Sequence, residues 1–249
     1  MSIYIKSERE IEGIKAAGKI VALTLDYIKD QIKPDLSSSQ IENLCADYII
    51  SHNAKPAFKG YHGFPASVCI SVNDEVVHGI PNGRKIKLGD IVKIDVGVYK
   101  DSFYADGAKT FAIGAVNQNT KKLIDVTEKS LYLGIDQARA GNHLGDISSS
   151  IQKYVEANGF SVVRELSGHG VGIELHEEPM IPNFGVASKG ITFKKGMTLA
   201  IEPMVNMGSY EVLTQSNNWT VVTKDGKPSA HFEHTILITD TEPEILTKN

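Results

Sequence analysis

A carboxylate in the middle of an apolar, alternating run is costly to place, and this chain does it three times. Asp95 lies in Ile91-Val-Lys-Ile-Asp-Val-Gly-Val-Tyr99, Glu202 in Leu199-Ala-Ile-Glu-Pro-Met-Val205, and Glu233 in Ala230-His-Phe-Glu-His-Thr-Ile-Leu-Ile238. Each run reads as a strand, and strand interiors are poor in charge because an unpaired buried carboxylate is expensive. Ser102 to Phe111 reads as the strand returning from the first run. A tight turn around Lys100-Asp101 then sets Asp95 directly across from Asp106. Cross-strand partners have Cβ atoms about 4.5–5.5 Å apart, where like charges repel. The fold must therefore supply cations, or a shared proton, to this pair.

With 41% hydrophobic and 22% charged residues over 249 positions, the chain has ordinary globular composition and room for one large domain. A net charge of −4 argues against sequence-independent nucleic-acid binding as the main role. No apolar run is long enough to span a bilayer, and the polar opening Ser2 to Glu10 is no signal peptide. Cys45 and Cys69 are the only cysteines, so neither a disulfide framework nor a CxxC zinc site is expected. A cytoplasmic monomer is the expectation.

The plan along the chain is helix, helix, strands, and then the same again. Ser7-Glu-Arg-Glu10 is a capping box opening a helix that ends before Pro34, and Ser39-Gln-Ile-Glu42 reads as a second box. Strands follow from about Ala66 to Phe111. Thr120 to Arg139 and Asp146 to Asn158 read as helices ended by Gly141 and Gly159. Strands then fill most of Ser161 to Thr239, with an Asp225-Gly226 hairpin. A shift of 106 positions lays Ile41, Cys45, Tyr48 and Ile49 over Ile147, Ile151, Tyr154 and Val155, and brings Asp95 close to Glu202. We read one α+β domain of two similar αα-β halves, about 7–111 and 119–239, around a shared site.

Any one Asp, Glu or His is more often surface or hydrogen-bonded structure than a ligand. Read together, Asp95, Asp106, Glu202 and Glu233, with His169 between two glycines in Ser167-Gly-His-Gly-Val-Gly172, form a mixed oxygen and nitrogen donor set suited to divalent ions. His176 follows seven residues on, in a run that is not the helical HExxH motif. His78 closes an apolar patch and, alone, reads as a structural histidine. Ser167-Gly-His-Gly is no nucleophile elbow, and the glycines lack both the P-loop lysine and the GxGxxG spacing. Cys69, in an apolar strand, reads as a buried thiol.

With Tyr61-His-Gly-Phe-Pro65, His78-Gly-Ile-Pro81, Ile94-Asp-Val96, Gly168-His-Gly-Val-Gly172, His176-Glu-Glu-Pro179, Ile201-Glu-Pro-Met204 and Phe232-Glu-His-Thr235, nearly the whole chain resembles the type I methionine aminopeptidases, of the pita-bread fold. No insertion of the type II kind and no N-terminal extension domain is expected. The resemblance implies removal of initiator methionine from nascent polypeptide N-termini when the next residue is small, and Met1-Ser2 is itself such a start. It implies two divalent ions (Mn, Fe, Co or Zn), one held by Asp106, His169, Glu202 and Glu233, the other by Asp95, Asp106 and Glu233. Glu202 would move a proton, His176 would meet the scissile carbonyl oxygen, and His78 the amide nitrogen. Tyr61, Cys69 and Trp219 match pocket positions. Phe58, Phe64 and Leu175 stand where relatives carry other side chains, and Gly97 and Gly107 where hydroxyl-bearing residues are frequent. A proline-specific aminopeptidase and a non-catalytic binding homologue are the alternatives. Arg84, Lys85 and Lys87 suggest a transient ribosome contact, with a solvated turn as the plainer reading. No direct nucleic-acid or membrane role is expected.

Overall fold

Alternation along the central hairpin divides the molecule into a helix-covered side and a site side. The computed structural model describes residues 3–249, so Met1 and Ser2 lie outside the described residues. The helices are α1 (Glu8–Gln31), α2 (Ser38–Ser51), α3 (Gln118–Ile135) and α4 (Leu144–Ala157). The first strands are β1 (Lys55–Pro56), β2 (Cys69–Val72), β3 (Glu75–Val77), β4 (Ile91–Lys100) and β5 (Phe103–Ala112). The later ones are β6 (Ser161–Val162), β7 (Ser167–Gly170), β8 (Glu177–Pro182), β9 (Thr198–Ile201), β10 (Met204–Asn206), β11 (Val212–Thr214), β12 (Val221–Thr223), β13 (Ser229–His231), β14 (Glu233–Leu237) and β15 (Glu244–Ile245). The main sheet runs β1-β4-β5-β14-β9-β7-β8, with β2 on β4 and β15 on β14. Its pairs are antiparallel, so the α+β expectation holds.

Val92, Ile94, Val96 and Val98 of β4 pack with Ile20, Val21 and Leu25 of α1 and Ile41, Cys45 and Ile49 of α2. On the other half, Leu199, Ile201 and Ile236 pack with Leu123 and Leu131 of α3 and Ile147, Ile151 and Val155 of α4. One face of the sheet is thus buried under helices. The intervening residues, Asp95 and Gly97 among them, are left for the opposite face.

The sequence places several boundaries differently. The second capping box is Ser37 with Gln40, not Ser39 with Glu42. Ser38 is occupied by the Asn82 carbonyl, and Glu42 accepts the Ser67 N–H at 2.7 Å. Asn117 caps α3, which ends at Ile135 rather than Arg139, and α4 begins two residues before Asp146. The bounds of α2 and α4 differ by 106 positions. Asp225-Gly226 is a turn but no hairpin, because β12 pairs with β3 and β11 whereas β13 pairs with β10.

The amino-terminal arm is locked down by a buried ion pair. Lys6 Nζ meets Glu177 Oε2 with both side chains essentially inaccessible, and the Lys6 N–H donates to Gly196 O at 2.8 Å. The other Glu177 oxygen accepts the N–H groups of Ile173 and Glu174 at 2.7 and 3.0 Å, tying down the loop before His176. Lys6→Ala leaves that carboxylate buried and short of a partner. It should cost about 3 kcal/mol, read as a lower urea midpoint at unchanged slope; an unmoved midpoint would show that the pair contributes nothing.

Candidate metal centre and substrate pocket

Register builds the floor of the site. The turn between β4 and β5 is centred on Asp101 and Ser102, at φ 48° and 75°. These are the two left-handed positions that a two-residue type I′ hairpin requires. The centre falls one residue later than the sequence suggested, so Asp95 pairs with Ala108 and Asp106 with Gly97. The two aspartates are therefore diagonal neighbours on one face rather than direct partners. Ala108 pairs in turn with Glu233, and Cys69 with Asp95 on the other side.

The run around Glu233 is not one strand. Both it and the run around Glu202 break, at Phe232 and at Glu202-Pro203, because proline cannot donate to a ladder. Register passes through the break unchanged: His234 pairs with Ile201 before it and His231 with Met204 after it. Glu233 and Glu202 fall opposite each other in the gap. One row across the sheet reads Cys69, Asp95, Ala108, Glu233, Glu202. The adjacent row reads Gly97, Asp106, Thr235, Ala200, His169, with the Thr235 hydroxyl accepting the Asp106 N–H at 3.0 Å and donating to Asp106 O at 2.8 Å. Small residues separate Asp95 from Glu233 and flank Asp106, whereas Glu233 and Glu202 stand side by side in the gap.

The side chains converge. Ligand atoms of Asp106, His169 and Glu233 lie within 4.8 Å of one another. His169 Nε2 is 4.0 Å from Asp106 Oδ2 and 3.5 Å from Glu202 Oε1. His169 Nδ1 donates to Gly170 O at 2.9 Å, so Nε2 carries the lone pair a metal needs. Asp95 Oδ1 and Glu233 Oε1 are buried with no hydrogen-bond partner among the described residues. Burial and mutual repulsion hold Asp95, Glu202 and Glu233 well above the usual carboxylate range. Burial lifts Asp106 to about 6, against the lowering effects of hydrogen bonds from Asp95 and the Gly107 N–H. A shared proton is the cation-free answer to this repulsion, and a divalent ion is the better one. The donor set, with its unpartnered oxygens, fits divalent metal.

A cavity of about 300 Å³ opens over this floor. Asp95, Asp106, His169, Glu202 and Glu233 line it together with His78, His176, Phe58, Tyr61, Phe64, Cys69 and Trp219. Leu175 does not; it is buried behind the wall, against Phe58, Phe64 and Cys69. His176 Nδ1 is 2.8 Å from the Tyr61 hydroxyl, and its ring centroid is 4.1 Å from that of His169. Desolvation, with His169 beside it, pushes His176 down to about 3, so it is neutral. His78 sits at φ 57°. Gly79 holds it there, since a Cβ at that position would lie 2.1 Å from Ile70 O. Trp219 meets His78 and Phe64 edge-on at 6.4 and 5.1 Å. Burial raises the Cys69 thiol well above its ordinary range.

Four residues escaped the sequence reading. His62 and Met180 line the cavity. Lys93, two positions before Asp95, is fully buried, donates to Asn73 O at 2.7 Å and is lowered to about 7 by burial. His231 is buried with Nε2 3.6 Å from Glu202 Oε2. Its two-residue spacing from Glu233, which puts both on one face of a strand, was the signal that could have found it.

Residues 12–240 match the family model for metallopeptidase family M24. The chain is 50% identical over 245 residues to a methionine aminopeptidase of Clostridium perfringens, covering 98% of each. It is 51% identical over 246 residues to methionine aminopeptidase 1 of Bacillus subtilis, covering 99% of each. The crystal structure of methionine aminopeptidase from Thermotoga maritima superimposes with a TM-score of 0.98 at 47% identity, covering 100% of both chains. A prolidase from Pyrococcus horikoshii shares the fold at 23% identity, with a TM-score of 0.80 and 63% of its length covered.

Electrostatics give the site a stability signature. A carboxylate raised in the folded state binds more protons there than in the unfolded chain, so stability falls as pH rises through its folded value. The buried histidines act oppositely: His169 and His234 are lowered to about 4, and His176 and His231 to about 3, by burial. Their effect ends near the unfolded histidine value, about 6.5. Above it buried Lys93, lowered to about 7, adds stability as pH rises and so opposes the carboxylates. Protein loaded with divalent metal should melt higher than metal-free protein, by a margin that widens as pH rises, because the ion binds the deprotonated carboxylates. Equal slopes with and without metal would show that these carboxylates do not bind it.

Proposed function

The chain belongs to metallopeptidase family M24, and from that premise we propose that it removes the N-terminal methionine of nascent polypeptides whose second residue is small. The observation that carries the reading is the convergence of four carboxylates and His169 on the floor of an apolar-walled pocket that also holds His78 and His176. Close relatives over the full chain are methionine aminopeptidases, whereas likeness to the prolidase extends to the fold. The family uses divalent metal. Two ions is our reading, with Asp106 and Glu233 shared, Asp95 completing one set and His169 with Glu202 the other. Oxygen donors with one histidine accept Mn(II), Fe(II), Co(II) or Zn(II), so cellular supply decides.

When bound, such ions supply a water of near-neutral pKa and polarise the substrate carbonyl. The protein's own groups do the rest. Glu202 takes the proton of the attacking water and delivers it to the leaving amine. With the Tyr61 hydroxyl, 2.8 Å from His176 Nδ1, acting as donor, the imidazole proton would lie on Nε2 to meet the scissile oxygen as charge develops on it. His78, held rigid by Gly79, meets the scissile nitrogen. Phe58, Phe64, Cys69 and Trp219 surround a thioether side chain with apolar, polarizable surface, and Leu175 supports them from behind. Helices of the described residues are nowhere long and apolar enough to cross a membrane. A ribosome contact would fall to exposed Lys85 and Lys87, since Arg84 is already paired with Glu75 at 3.2 Å.

Metal-loaded protein should release methionine from Met-Ala-Ser and far less from Met-Leu-Ser. No release from the first would sink the proposal, and equal release would remove the small-neighbour rule. Asp106→Asn should weaken metal binding and activity more than Asp95→Asn, because Asp106 serves both ions; titration calorimetry orders the two. His176→Ala should lower kcat about 10²–10³-fold, as loss of an oxyanion donor does.

A further inference from the structure

The Glu202 carboxylate lies between two imidazoles. Its Oε1 is 3.5 Å from His169 Nε2 and its Oε2 is 3.6 Å from His231 Nε2. His169 has its Nδ1 proton committed to Gly170 O and turns a lone pair inward. His231 is a different kind of group. It is 1% exposed and stands outside the cavity wall, and neither ring nitrogen has a hydrogen-bond partner among the described residues.

A buried imidazole with both nitrogens idle is costly, yet its backbone is clamped from two sides. Its N–H donates to Thr110 Oγ1 at 3.0 Å, and the Thr110 hydroxyl donates to its carbonyl at 2.7 Å. Pairing with Met204, two residues beyond Glu202, fixes its register. A carboxylate oxygen, Glu202 Oε2, stands 3.6 Å from the idle Nε2, and a carboxylate can only accept. A lone pair facing that oxygen would be repelled, whereas an N–H would be drawn to it.

We infer that His231 is a positioning residue for this reaction, presenting Nε2–H to Glu202 Oε2 and fixing the rotation of that carboxylate. Oε1 is thereby left toward the His169 side, and Oε2 is held by a directed donor. The 3.6 Å separation is one small rotation beyond a hydrogen bond, and such bonds tighten when a site is loaded. Loss of a bond of this kind behind a ligating carboxylate commonly costs 10–100-fold in affinity or activity. The inference rests on the assignment of Glu202 as proton carrier for its kinetic consequence, but not for the bond itself.

Two measurements test it. In zinc-loaded protein labelled with ¹⁵N-histidine, the His231 signals, assigned by their absence in His231→Gln, should report a proton on Nε2; a proton on Nδ1 alone would overturn the inference. With Met-Ala-Ser, His231→Leu should lower kcat about 10–100-fold and leave KM within about twofold. His231→Gln, whose amide can still donate, should restore most of kcat. Wild-type kcat in His231→Leu, or equal loss in both variants with native circular dichroism, would also overturn it. If the wild-type enzyme released no methionine at all, the functional reading would fail, while the tautomer would still decide whether the bond exists.

Discussion

Repulsion among four buried carboxylates is the constraint from which this molecule is built. Asp95, Asp106, Glu202 and Glu233 share one face of one sheet, and three of them are held well above their ordinary range, with Asp106 lifted to about 6. Nothing apolar can stabilise such a cluster; only charge or protons can. The fold therefore invests elsewhere. The helix-facing side of the same strands is packed with Val92, Ile94, Val96 and Val98, all essentially inaccessible. A stable apolar layer holds the carboxylates where they would not choose to be. A divalent ion held there would turn the repulsion into binding energy.

Register makes the cluster possible at all. Were Asp95 and Asp106 direct partners, their carboxylates would crowd one rung and leave the next empty. The I′ turn at Asp101 and Ser102 moves the pairing so that each aspartate faces Ala or Gly. The break at Glu202-Pro203 does similar work on the far side. It frees Glu202 from ladder geometry while register still holds it opposite Glu233. A one-residue slip in either place would send a ligand toward the helices.

What the sequence made legible was chemistry tied to local pattern. Charged residues inside apolar alternation located Asp95, Glu202 and Glu233, and capping located α1. Features set by competition between near-equal local options were not legible. Three serines in a row at 37–39 can each cap a helix, and the choice fell to Ser37 because Ser38 is held by the distant Asn82 carbonyl. Asp225-Gly226 turns the chain as its residues demand, but the flanking strands take other partners, β12 pairing with β11 and β3 and β13 with β10. Lys93 and His231 were missed for the same reason. Their partners, Asn73 and Glu202, are brought to them only by the assembled sheet.

Phe58 and Gly97 show why single substitutions in such a pocket mislead. Read alone, Phe58 is a bulky side chain lining the cavity. Gly97, read alone, removes a side chain beside the metal ligands. In the structure the two occupy the same place. A Cβ on Gly97 would lie 2.5 Å from the Phe58 ring, and β1 sits on β4 with Pro56 paired to Val98, so the approach is built into the sheet. The ring takes space that the glycine gives up, and it meets Phe64 edge-on at 6.5 Å. A side chain at position 97 would require the Phe58 ring to move, so the two positions are coupled and neither can be read in isolation.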